Sequence, residues 1–188
     1  MNDSELVRHA RDGEQAAFLL LYERFRKGIF GFAYRLLGSQ AAAEDVMHDC
    51  FASMIANFHR FNPERASLRT YLYAAARNLA FKHMRDPDNE ASVEVPDDLD
   101  ASAGPLDLLL GSELCDVVRT AIGRLPPLLR EVLLLCEYEE LPLAEIASVV
   151  NADVGTVKAR LHRARSNLRR MLAPYLNGKP DPQSMEDA

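Results

Sequence analysis

Apolar residues recur at helical spacing along most of this chain, and alternating apolar/polar runs bounded by turn residues do not appear. The spacing predicts helices over 4–12, 14–37, 40–57, 68–85, 106–123, 127–137, 142–149 and 154–173, and hence an all-α fold. Local chemistry agrees with those boundaries. Gly13 and Gly38 stand where helices stop, and Ser39 and Ser67 stand where N-caps belong. Pro127 and Pro142 fit the first turn, where a missing backbone N–H does no harm.

The periodicity fails between Asp86 and Gly104, a stretch with two prolines, seven acids and no base. Such a segment cannot bury enough apolar surface to order itself, and it reads as an acidic flexible linker. The chain thus divides into a helical module over 1–86, a linker over 87–104, a second helical module over 105–176 and a short, loose acidic tail over 177–188. Each module is small, so each core is limited.

Charge changes the picture of what the modules meet. The 188 residues carry a net charge of −6, which argues against nucleic acid. The distribution reverses that argument. Residues 1–86 are net +2 and 117–176 are net +3, while 87–116 are net −9 and the tail is net −2. Arg65 to Arg85 holds five Lys/Arg and no acid, and Val154 to Arg170 holds six and none. Clustered cations of this kind are the electrostatic footprint of a nucleic-acid binder.

In the second module, PLAEIASVVNADVGTVKARLHRARSNLRRML has the layout of a helix-turn-helix. Asn151 falls where the turn needs a left-handed residue, which Asn tolerates better than most. Asp153 is placed to cap the following helix. Val157, Leu161, Ala164 and Leu168 form its inward stripe. The opposite face then carries Lys158, Ala159, His162, Arg163 and Ser166, flanked by Arg160 and Arg165. A major groove admits a helix, Arg and Lys read guanine edges, and flanking Arg hold phosphates. A solvated basic face is the bland alternative.

The first module offers two contrasting helices. On 40–57, Val46, Met47, Cys50, Phe51, Met54 and Ile55 gather on one side. The other side shows Asp45, Asp49, Ala52, Ser53 and Ala56, with His48 at its border. That acidic, small-residue face suits close approach by a basic helix, and equally an ordinary solvated surface. On 68–85, Leu68, Leu72, Ala75 and Leu79 are expected inward, and Thr70, Tyr73, Arg77, Phe81 and Arg85 outward, with Asn78 beside them and Tyr71 at the border. The preceding FHRFNPERAS adds Phe58, Phe61 and Asn62. Aromatics among basic residues suit stacking on unpaired bases, and equally the filling of a small core.

Other chemistry is weakly supported. The three cysteines form no CxxC pair, and His48 and Cys50 have no zinc-spaced partners. No phosphate loop or nucleophile elbow occurs. We expect no enzyme activity, no metal and no cofactor. No apolar run approaches the ~20 residues of a membrane span, and MNDSELVRHARDGE lacks the apolar core of a secretion signal, so no membrane insertion and a cytoplasmic location are expected.

Three stretches carry a family resemblance: AAAEDVMHDCFASMI, SLRTYLYAAARNLAFKHMR and AIGRLPPLLREVLLLCEYEELPLAEIASVVNADVGTVKARLHRARSNL. Together the chain resembles a bacterial extracytoplasmic-function (ECF) sigma factor over roughly Glu5 to Leu172. The resemblance implies two domains, a sigma region 2 bundle and a sigma region 4 helix-turn-helix. It implies binding to core RNA polymerase, at the β′ clamp coiled coil and the β flap, and promoter-specific transcription initiation. By family pattern Asp45, His48, Asp49 and Ser53 meet polymerase. Phe61, Asn62, Tyr71, Arg77 and Asn78 lie at the −10 element. Thr156, Lys158, Ala159, Arg160, His162, Arg163 and Arg165 lie at the −35 element.

The resemblance further implies an anti-sigma factor as inhibitor. The chain departs from the pattern at Tyr71, where Trp is usual, at Lys82, where Asp is frequent, at Asn151 in place of the turn glycine, and at His48-Asp49 in place of Gln-Glu. The alternative reading is a stand-alone helix-turn-helix regulator with residues 1–86 as a sensory or dimerising module.

Overall fold

A computed structural model describes residues 3–58, 61–63, 66–86 and 112–176. The expected linker over 87–104, the tail over 177–188 and the start of the helix placed at 106 lie outside these residues. The elements are α1 (Asp3–Arg11), α2 (Gln15–Leu37), α3 (Gln40–Asn57), α4 (Leu68–Arg85), α5 (Ser112–Gly123), α6 (Pro127–Glu137), α7 (Leu143–Val150) and α8 (Val154–Leu176). Among the described residues there is no strand.

The helix ends follow from single residues. Gly38 takes the left-handed conformation, φ 73°, and its N–H donates to the Tyr34 carbonyl. The Ser39 hydroxyl accepts from the Ala42 N–H at 3.3 Å, and the Ser67 hydroxyl from the Thr70 N–H at 3.1 Å. Each such cap contributes ~1 kcal/mol. Pro127 opens α6, whereas Pro142 sits one position ahead of α7, at the N-cap. The last helix runs through Pro174 to Leu176 instead of ending at 173. Pro174 has no N–H to donate back to the Arg170 carbonyl, so the last turn runs on with one backbone bond fewer.

In the N-terminal module α2 is the central element, with α1, α3 and α4 against it. Leu6, Leu21, Ile29, Phe32, Leu36, Met54 and Leu72 are fully buried. Each contributes ~1.5–3 kcal/mol through removal of its apolar surface from water. Cys50 is buried among them, its thiol donating to the Leu72 carbonyl, and burial pushes that thiol up to about 12. It is no nucleophile at neutral pH. In the C-terminal module α6, α7 and α8 enclose Leu134, Leu135, Ile146, Val157, Leu161 and Ala164, with α5 packed on α8.

The modules pack on each other: α4 lies against α7, and α2 against α5 and α6. Arg130 of α6 donates to the Leu36 carbonyl at the end of α2 (2.7 Å) and to the Gly123 and Leu125 carbonyls of its own module. The Arg35 guanidinium lies 4.4 Å from the Tyr138 ring centre.

This packing corrects two expectations about helix faces. Thr70 and Tyr73, expected outward on α4, are 5% and 2% exposed. The helix is covered on two sides, by its own module and by α7, so Ala76 and Ala80 are buried while Ala75 and Leu79 are half-buried. Ile55, expected inward on α3, is 58% exposed.

Candidate nucleic-acid interface

The helix-turn-helix is built as its residues require. Asn151 closes α7 in the left-handed region at φ 51°, ψ 54°. The Asp153 carboxylate accepts from the Thr156 N–H at 2.8 Å and from the Thr156 hydroxyl at 2.6 Å. These bonds hold the Asp153 carboxyl below its usual range. Val157, Leu161 and Ala164 then anchor the inner side of α8, with Leu168 half-buried. Lys158, Ala159, His162, Arg163 and Ser166 are exposed together on the other side. Arg165 is exposed too, and it pairs with Glu137 at 2.6 Å. Thr156 belongs to the cap of the helix as much as to its outer face.

On α3 the acidic face is open. Asp45, His48, Asp49, Ala52, Ser53 and Ala56 are all exposed, above a buried row of Val46, Cys50, Phe51 and Met54. The small side chains at 52, 53 and 56 leave the helix backbone approachable.

The α4 side is different. Phe61 is 5% exposed, with its ring 5.3 Å from that of half-buried Tyr71. The Arg11 guanidinium donates to the Phe58 and Phe61 carbonyls and ties this turn to α1. Asn62 and Asn78 are exposed. Arg77 is not: its guanidinium donates to Glu131 of α6 at 2.7 Å. The same Glu131, 0% exposed, accepts from Arg160 of α8 at 3.3 Å. One carboxylate therefore holds one arginine from each of the two basic helices. Burial raises the Glu131 pKa, and the two guanidinium groups oppose that rise.

Two more acids line the same side of α4. Glu139, in the α6–α7 turn, accepts from the Tyr73 hydroxyl, and its backbone carbonyl accepts from Arg69. Glu145 of α7 accepts from the Thr70 hydroxyl at 2.5 Å and the Ser67 hydroxyl at 3.2 Å. Glu140 adopts a left-handed φ of 49° between them, which turns its neighbours Glu139 and Leu141 inward. Gly28 of α2 leaves room for this arrangement, because a Cβ there would lie 2.5 Å from the Tyr73 hydroxyl and 3.3 Å from Glu139 Oε2.

Sequence reasoning missed Glu131, Glu139 and Glu145. For Glu131 a signal was present. It stands at i−3 and i−4 from Leu134 and Leu135, on the inward stripe of an apolar helix, where an acid needs a buried cation.

Among the described residues no cluster of His, Cys, Asp and Glu is arranged to hold a metal ion, and no helix is long and apolar enough to cross a membrane. What the geometry defines is a DNA-binding protein of two helical modules, one of them a helix-turn-helix with a basic outer helix. Residues 21–89 match Sigma-70 region 2, and residues 115–168 match Sigma-70, region 4.

Whole-length relatives agree with both matches. The ECF RNA polymerase sigma factor SigW of Bacillus subtilis is 31% identical over 177 residues, covering 88% of this chain and 94% of the relative. The RNA polymerase sigma-H factor of Pseudomonas aeruginosa is 30% identical over 185 residues, covering 93% and 95%. Among solved structures, the sigma factor RpoE of Bartonella quintana, in complex with the anti-sigma factor NepR, superposes with a TM-score of 0.65 at 25% identity, over 87% of this chain and 98% of that one. CnrH, in complex with the cytosolic domain of CnrY, shares the fold with a TM-score of 0.69 at 22% identity, over 91% and 97%. The chain belongs to the ECF sigma factors of RNA polymerase, which initiate transcription and are not enzymes.

Proposed function

We propose that this sigma factor meets core RNA polymerase through the exposed face of Asp45, His48, Asp49 and Ser53, and reads its promoter at two places. Residues 1–86 act at the −10 element through Phe61, Asn62, Tyr71, Arg77 and Asn78. Residues 105–176 act at the −35 element through Thr156, Lys158, Ala159, Arg160, His162, Arg163 and Arg165, with 87–104 joining the two. The protein works in the cytoplasm, where polymerase is, and an anti-sigma factor restrains it. The likeness to a sigma factor bound to its anti-sigma factor supports that partner.

The observation that carries the reading is the capped α8, with Lys158, Ala159, His162 and Arg163 exposed as one row and their apolar opposites buried. A stand-alone helix-turn-helix regulator is not favoured, because the first module matches region 2 of the same family. Transcription reconstituted with core polymerase tests the assignment. The exposed double change Asp45→Lys, Asp49→Lys is expected to keep the fold, since exposed changes shift stability by only ~0.5 kcal/mol, and to weaken core binding. Undiminished core affinity in the folded variant removes α3 from the polymerase interface.

A further inference from the structure

Helix α1 lies ahead of the stretch that matches Sigma-70 region 2, which begins at residue 21. Its last residue nonetheless reaches the turn that carries Phe61 and Asn62. Arg11 Nε donates to the Phe58 carbonyl at 3.2 Å, and Arg11 Nη2 donates to the Phe61 carbonyl. These bonds span 47 and 50 positions of sequence. The turn also closes on itself, the Phe61 N–H donating to the Phe58 carbonyl at 3.2 Å.

We infer that Arg11 is a positioning residue for −10 recognition: its guanidinium sets the direction in which the chain presents Asn62 to a base. The inference rests on the proposed placement of Phe61 and Asn62 at the −10 element and adds the group that orients them. The Phe61 carbonyl and the Asn62 N–H belong to one planar trans peptide, so they point opposite ways. Holding that carbonyl on Arg11 therefore fixes the peptide plane at which Asn62 begins. On its other side Asn62 precedes Pro63, whose ring disfavours the helical region for the residue before it. Asn62 is thus restrained from both sides, and its exposed side chain is offered over a narrow arc.

Apolar packing does not supply this restraint. The rings of Phe58 and Phe61, 8% and 5% exposed, fix where the turn sits, but a buried ring leaves open which way the neighbouring peptide plane faces. Beside the turn lies a cleft of about 500 Å³ lined by Ala10, Arg11, Ile55 and Phe58, so on that side hydrogen bonds hold the turn and close packing does not. A guanidinium suits the task. Its planar fork keeps its donors at a fixed angle and holds two carbonyls at once, whereas a lysine offers a rotatable point charge. A loop ordered in this way before DNA arrives does not have to be ordered at the expense of binding.

The test uses holoenzyme assembled from core polymerase and the full chain, carrying Arg11→Ala, Arg11→Lys, Asn62→Ala, or Arg11→Ala together with Asn62→Ala. Each selects open complexes from a promoter library randomised across the −10 element, on a −35 element first selected by the unmutated holoenzyme. Core affinity is measured alongside. Arg11→Ala is expected to keep core affinity within about twofold, as an exposed change does. It is expected to lose roughly fivefold in base preference, at the same −10 positions that Asn62→Ala affects, and the double variant is expected to add no further loss because both changes act on one contact. Arg11→Lys, which keeps the charge and loses the fork, is expected to restore less than about half of that preference. A loss spread evenly over all −10 sequences overturns the inference, because it reports general weakening and not presentation of a base reader. Full restoration by Arg11→Lys overturns it in favour of charge alone, and additive losses in the double variant overturn it in favour of independent roles. Altered preferences in Asn62→Ala with none in Arg11→Ala discard the inference and keep the −10 placement. Unaltered preferences in Asn62→Ala remove that placement and the inference with it.

Discussion

Helices α4 and α8 have the same character as sequences, an apolar stripe with arginines and no acids, yet the fold treats them oppositely. The outer row of α8 faces water from Lys158 to Ser166. The corresponding stripe of α4 faces three glutamates. The difference lies in the side chains between the cations. Ala159 and Ser166 on α8 offer nothing to bury, so that row gains little from a cover. Tyr73 on α4 brings a ring as well as a hydroxyl. The ring packs edge-on against Phe32 at 5.6 Å while the hydroxyl finds Glu139. An amphipathic residue in a basic face thus lets that face be covered, whereas small polar residues keep it open.

The largest expected effects test whether the two helices sit in one cooperative structure. Leu72→Ala on α4 and Leu161→Ala on α8 each empty a buried site, at 0% and 3% exposure, and each is expected to lower stability by ~2–5 kcal/mol. Because the modules share a continuous packed interface, calorimetry should show both variants lowering one common transition. Two transitions, each sensitive to only one substitution, break the comparison by making the modules thermodynamically separate.

A smaller effect is expected on the open helix. Lys158→Ala or Arg163→Ala should reduce discrimination between promoters by ~1–3 kcal/mol where the side chain makes a bidentate base contact. Arg165→Ala should weaken all promoters alike, because phosphate contacts carry no sequence information. Competition between cognate and mismatched −35 duplexes in the holoenzyme is the measurement. Equal losses for Arg163 and Arg165 mean that the row at 158–163 holds the backbone and reads no bases.

The smallest effect sharpens the contrast through pH. The two helices depend on carboxylates displaced in opposite directions. Asp153, which starts α8, is held below its ordinary value of 3.8 by Thr156. Its contribution is present above 3.8 and is lost as pH falls through the lower, folded value. Glu131, which covers α4, is raised above 4.5 by burial. Its contribution is full below 4.5 and declines as pH rises through the folded value. Mild acidification from neutral pH is therefore expected to protonate Glu131 first, relieving its burial cost while releasing Arg77 and Arg160 from a charged partner, and to leave the α8 cap intact. Carbon-detected NMR of the two carboxyl groups checks this. A Glu131 midpoint below 4.5 means that Arg77 and Arg160 outweigh burial.

Much of this architecture is legible in the sequence. Helix ends were marked by residues whose local chemistry leaves few options: Gly38, Ser39, Ser67, Asn151 and Asp153 all act where their types predict. The faces of α8 follow from periodicity because the helix has one apolar stripe and one partner side. Helix α4 defeats the same method. It has two partner sides, and Thr70 and Tyr73 are polar enough to read as exposed while large enough to be buried. Periodicity weighs one residue at a time and cannot register that an acid more than fifty positions away, Glu131 for Arg77, supplies the missing half of a pair. The polymerase assignment on α3 and the −10 assignment rest on family pattern, whereas the outward row of α8 follows from periodicity and charge as well.

The pairing of one buried carboxylate with two arginines also bears on how the protein behaves in a crowded chromosome. A bacterial genome presents on the order of a million or more non-specific sites to any exposed cationic surface, and each phosphate contact contributes roughly 0.9 to the salt dependence of such binding. Glu131 engages Arg77 and Arg160, two of the arginines proposed to meet promoter DNA. With both arginines so engaged, random DNA meets fewer free cations on the folded subunit than its sequence would suggest, while the row of α8 from Lys158 stays exposed. If those arginines meet the promoter as proposed, selectivity starts in part with contacts the folded subunit withholds before any base is read.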